Sequence, residues 1–153
     1  MVDYYRTTVD GRIAFVSGAA GHLGRPMAIA LAQAGAHVIL NGRTESRLEE
    51  LRREMAAAGL SASVSAFDVM DRQAFGAFFG GLERLDVLLL VNPNNPTGRR
   101  IETPRLLAWH AQLAERGGWL LVDEAFMDCT PEHSLAAYSQ LPGLIVLRSF
   151  GKF

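Results

Sequence analysis

Apolar residues recur in short runs along this chain, and the stretches between them show helical spacing. The runs are Ile13–Val16, Ala36–Leu40, Ala62–Phe67, Val87–Val91, Trp119–Val122 and Leu144–Leu147. Each has the length of a buried strand, and their near-continuous hydrophobicity suits a parallel sheet covered on both faces. Helices are predicted over about 22–34, 44–58, 71–82, 104–116 and 131–140. Thr103-Pro104 and Thr130-Pro131 each offer an N-cap followed by proline at the first helical position, and Thr44 and Asp71 offer two further caps. Gly35, Gly59 and Gly117 stand where helices usually end. Six strands joined by five crossovers predict an α/β protein. The expected architecture is a three-layer, doubly wound, Rossmann-like parallel sheet of order 3-2-1-4-5-6, forming one domain over residues 1–153. In such a sheet a ligand crevice is expected at the carboxyl ends beside the switch point, walled by residues 17–24 and 92–98.

Composition narrows the function classes. The chain has 153 residues, enough for one substantial core, and its net charge is −1. That balance leaves no basic footprint for nucleic acid. The apolar runs are far too short to span a bilayer, and residues 1–12 lack the apolar core of a signal peptide. Cys129 is the only cysteine, which excludes a disulfide framework within the chain and points to a cytoplasmic setting. No metal site is expected. Trp109 and Trp119 read as packing residues. Of the 15 basic residues only Lys152 is a lysine.

Chemistry enters at the first strand-to-helix turn, Ser17-Gly18-Ala19-Ala20-Gly21-His22-Leu23-Gly24. Glycines at positions 18, 21 and 24 let backbone approach a phosphate closely, and the helix N-terminus supplies free N–H groups and partial positive charge. With Asn41-Gly42-Arg43 after the second strand and Asp68-Val69 after the third, residues 11–91 resemble a short-chain dehydrogenase/reductase. The resemblance implies a cofactor site built from Ser17, Gly18, Gly21, Leu23 and Gly24. The family's NAD-binding members carry an acidic residue at the end of the second strand. Its absence here implies NADP, with Arg43 facing the 2′-phosphate and Asp68 beside the adenine. The family's catalytic Tyr-x-x-x-Lys is missing: Tyr4, Tyr5 and Tyr138 all lack a lysine four residues on. Without that pair there is no general acid for hydride transfer to a carbonyl.

A different set of motifs fills the second half. Asn92-Pro93-Asn94-Asn95-Pro96-Thr97-Gly98 is followed by Val122-Asp123-Glu124-Ala125-Phe126 and then by Ser149-Phe150-Gly151-Lys152. From about Leu85 onward the chain resembles the central segment of fold-type I pyridoxal-phosphate enzymes, of the aminotransferase-like threonine-phosphate decarboxylase group. The resemblance implies that Asp123 faces the cofactor's pyridine nitrogen and that Asn95 donates to its phenolic oxygen. It also implies that Lys152 supplies the amine for covalent attachment and that Ser149 helps hold the phosphate. Phe126 replaces a Tyr common in relatives. The upstream phosphate turn and the later arginines have no counterpart, and the chain ends one residue after Lys152.

The two resemblances meet within Leu85–Val91, where both families have a buried parallel strand followed by an Asn-containing turn. The expected identity is a recombined or engineered chimera with no evolved activity and no cofactor requirement. Lys152, Asp123 and Asn95 are then vestigial. The alternatives are residual binding of NADP or an adenine nucleotide, and weak binding of pyridoxal phosphate through Lys152. Neither nucleic acid nor membrane is an expected partner, whereas self-association through an exposed sheet edge or the surface of the missing domain is.

Overall fold

The computed structural model describes residues 9–95 and 97–149. Its strands are β1 (Ile13–Val16), β2 (His37–Gly42), β3 (Ala62–Ala66), β4 (Val87–Val91), β5 (Trp119–Asp123) and β6 (Leu144–Leu147). The helices are α1 (Gly24–Gln33), α2 (Glu45–Ala57), α3 (Arg72–Gly80) and α4 (Thr103–Ala114). The strand order is β3-β2-β1-β4-β5-β6, the Rossmann-like order that the apolar runs predict. The pairs β1–β2, β2–β3, β4–β5 and β5–β6 are all parallel. The chain divides into two compact units between Leu85 and Asp86.

In the first unit the core is built by small residues on one helix and large ones beneath. Gly24, Ala28 and Ala32 are the buried face of α1, spaced one turn apart, and their size lets the helix approach β1 and β2 closely. Leu48, Leu51 and Met55 do the same for α2 with larger side chains. Phe15, fully buried on β1, stands among four other rings, with centroids 6.1 Å away for Phe67, 6.5 Å for Phe75, 5.8 Å for Phe78 and 5.0 Å for Phe79. Asp71 caps α3, its carboxylate accepting from the Gln73 and Ala74 amides.

In the second unit the register places Leu88, Leu90, Leu120, Val122 and Leu144 in the core. Buried Leu106, His110 and Leu113 of α4 join them. The His110 ring nitrogen Nε2 lies 2.9 Å from the Pro142 carbonyl. Trp109 is half-buried, with the Arg105 guanidinium 4.7 Å above its ring, and Trp119 is half-buried on β5.

Three sequence expectations are corrected. No α-helix forms over 131–140; two short 3-10 turns, Pro131–His133 and Leu135–Tyr138, replace it, preceded by a third, Met127–Cys129. Thr103 lies inside α4, whose N-cap is Glu102, and its hydroxyl donates instead to the His133 carbonyl at 3.0 Å. Thr44 and Thr130 occupy N-cap positions without making a side-chain cap hydrogen bond.

Candidate functional site

The glycine turn of the first unit is held from both sides. The Ala19 amide donates to the Asn41 carbonyl at 2.9 Å, which ties the turn to the end of β2. The Gly21 amide donates to the Gly18 carbonyl at 2.8 Å, closing the turn on itself. Gly18 has φ +62°, a left-handed conformation that favours glycine. Gly24 is needed for space: a Cβ there would collide with the Gly18 carbonyl oxygen and lie 2.8 Å from its carbonyl carbon. Ser17 is buried below the turn, while Gly18, Gly21 and Leu23 are exposed. No side chain caps the N-terminus of α1. The result is a solvent-facing backbone turn with an uncapped helix start, the arrangement that accepts phosphate oxygens.

Arg43 follows β2 directly and is exposed. Asp68 follows β3, and its Oδ1 accepts the Met70 amide at 2.9 Å while its carbonyl accepts the Asp71 amide at 2.8 Å. Asp68 therefore shapes its own turn, whatever else it touches. Between these segments lies a residue whose role sequence reasoning missed. The Asn41 side chain, buried near the end of β2, donates from Nδ2 to the Ser65 carbonyl at 2.9 Å and to the Phe67 carbonyl at 3.1 Å. The sequence showed only that this region lacks a carboxylate.

The second unit presents a different set of groups at its strand ends. Asp123, the last residue of β5, is buried; its Oδ1 accepts the Ala125 amide at 3.0 Å, and its Oδ2 is buried with no hydrogen-bond partner among the described residues. A buried carboxylate oxygen left open is costly unless a donor reaches it. The turn after β4 is closed by Asn92, whose Oδ1 accepts the Ile101 amide at 2.7 Å and whose Nδ2 donates to the Ile101 carbonyl at 3.3 Å. The Asn92–Pro93 peptide is cis. Asn95 stands exposed on that turn, and Ser149 is half-exposed after β6. Lys152 lies outside the described residues.

Glu124 carries more of this unit's architecture than its place in the motif suggested. It is fully buried. Ser134 Oγ donates to its Oε2 at 2.5 Å, the Leu135 amide to its Oε1 at 2.7 Å, and Arg148 Nη1 to its Oε2 at 3.3 Å. Arg148 also pairs with Asp128. One carboxylate thus gathers the 3-10 turns and the end of β6. A groove of about 770 Å³ in the same unit, bordered by Thr103, His133, Tyr138 and Arg148, contains none of the residues nominated for a cofactor site. No group of three or more metal-ligating side chains occurs among the described residues, and none of their helices is long and apolar enough to cross a membrane.

Fold and strand-end groups together define a Rossmann-like α/β protein with a glycine-rich turn in its first unit and an acidic β5 end in its second. The chain belongs to two families, short chain dehydrogenase over residues 12–99 and aminotransferase class I and II over residues 61–153. The two matches overlap across 61–99, which includes the junction expected at 85–91. Threonine-phosphate decarboxylase of Pseudomonas aeruginosa is 78% identical over 72 residues, which is 47% of this chain and 22% of that protein. Gluconate 5-dehydrogenase of Gluconobacter oxydans is 36% identical over 86 residues, 54% of this chain and 34% of that protein. A solved metagenomic short-chain oxidoreductase, in complex with NADP, matches with a TM-score of 0.58 and 26% identity, covering 76% of this chain and 63% of its own. The chain spans 22% and 34% of the length of these two curated relatives.

Proposed function

We propose that this chain is a chimera of two family segments that binds NADP through its first unit and turns over no substrate. The observation that carries the reading is the glycine turn, whose backbone faces solvent at an uncapped helix N-terminus. Every residue nominated for the adenosine half lies in the first unit: Ser17, Gly18, Gly21, Leu23, Gly24, Arg43 and Asp68. The exposed Arg43 guanidinium suits a 2′-phosphate, which an NAD-type carboxylate would repel. The NADP complex of the metagenomic relative supports the same ligand class. Absence of turnover rests on the missing proton donor, since none of the three tyrosines stands four residues before the single lysine.

Calorimetric titration tests this directly. NADP and adenosine 2′,5′-bisphosphate are expected to bind with similar affinity, and nicotinamide mononucleotide not at all. Absence of NADP binding at millimolar concentration contradicts the reading. Steady ketone reduction with NADPH contradicts its second half.

One observation favours a second reading, binding of pyridoxal phosphate by the second unit. The open, buried Oδ2 of Asp123 suits a pyridinium N–H donor. Asn95 would take the phenolic oxygen, Ser149 a phosphate oxygen and Lys152 the covalent link. When bound, the cofactor supplies an electron-accepting ring. Borohydride reduction with pyridoxal phosphate followed by peptide mapping should label Lys152; label confined to the N-terminal amine rejects this reading.

A further inference from the structure

We propose that Asn41 is a positioning residue of the nucleotide site, bracing its adenine-side turn against β2 while its backbone holds the glycine turn. The inference rests on the reading of the first unit as an NADP site. Two groups of one residue do the two jobs. The Asn41 main-chain carbonyl accepts the Ala19 amide at 2.9 Å and so anchors the turn between β1 and α1. The side-chain Nδ2 holds the Ser65 and Phe67 carbonyls at 2.9 and 3.1 Å. Ser65 is the register partner of Asn41 on β3, so the first bond ties the two strands where β3 is ending. Phe67 is already beyond β3, and its carbonyl belongs to the peptide that leads into Asp68. Fixing that peptide plane fixes where the Asp68 turn begins. With only 1% of its surface exposed, Asn41 has little water available to replace these bonds.

The division of labour makes the inference testable. Any residue at 41 keeps the carbonyl, but only a side-chain donor keeps the brace. Asn41→Leu should therefore leave the Ala19 amide protected from hydrogen exchange while the Met70 and Asp71 amides, inside the Asp68 turn, exchange about tenfold faster. NADP affinity should fall about tenfold, the factor expected from one lost hydrogen bond's worth of positioning. If Asn41→Leu does not fold, Asn41→Ala is read in the same way. Uniform acceleration of all first-unit amides, Ala19 included, overturns the proposal, because the side chain then serves stability alone. So does unchanged exchange at Met70 and Asp71, or a local change without loss of NADP affinity. If the parent chain does not bind NADP but the local exchange change occurs, the brace stands and the nucleotide reading falls.

Discussion

Gly18 and Gly24 occupy one turn for different physical reasons, and substitutions should separate them. Gly18 has open space around its Cβ position but a left-handed φ, so Gly18→Ala should cost only the conformational penalty, about 1–2 kcal/mol. Gly24 has ordinary backbone angles but no room, so Gly24→Val should displace α1, cost at least about 1–3 kcal/mol, and abolish NADP binding. Chemical denaturation measures the first pair of effects and titration the last. Arg43→Glu should weaken NADP more than tenfold, leave the unfolding midpoint unchanged, and not weaken NAD to the same degree. At this scale the left-handed Gly18 and the crowded Gly24 were legible, because a glycine-rich strand-to-helix turn announces such backbone demands. Asn41 was not, because an asparagine at a strand end reads as polar surface until its β3 partners are known.

Secondary-structure elements were legible where periodicity alone decides them. β1, β4 and β6 coincide with their apolar runs, and Asp71 caps α3 as its side chain predicts. Asp71→Ala should accordingly cost about 1 kcal/mol, seen as loss of helix content and a lower denaturation midpoint. The segment after β5 was misread. Thr130-Pro131 looks like a helix start, yet the buried Glu124 draws the Ser134 hydroxyl and the Leu135 amide inward and breaks the path into 3-10 turns. Tertiary demand for partners of a buried carboxylate outweighs local propensity there. Glu124→Leu would leave the Leu135 amide and the Ser134 hydroxyl without their acceptor. It should destabilise the protein by about 3 kcal/mol, with Glu124→Gln losing less, as read by urea unfolding.

The sheet order of the whole molecule followed from counting strands and crossovers, because right-handed connections leave few alternatives. The resemblance to two families was also legible, since each half carries long motifs in order; the matches overlap at residues 61–99. A buried parallel strand is constrained mainly by pattern and volume, so a strand such as β4 can fit both families. What sequence could not supply was the state of each site. That depends on single atoms, such as the open Oδ2 of Asp123 and the uncapped start of α1. On the proposed reading, one binding surface is contained in the first unit and no substrate is turned over. Thermal unfolding with and without NADP tests this most directly. At a hundredfold excess over its dissociation constant, a ligand specific to the native state adds about 2.7 kcal/mol of stability. NADP binding by the first unit should raise the midpoint, an effect lost in Gly24→Val, and no ketone should drive NADPH consumption. An unchanged midpoint at saturating NADP on a sharp transition would contradict it.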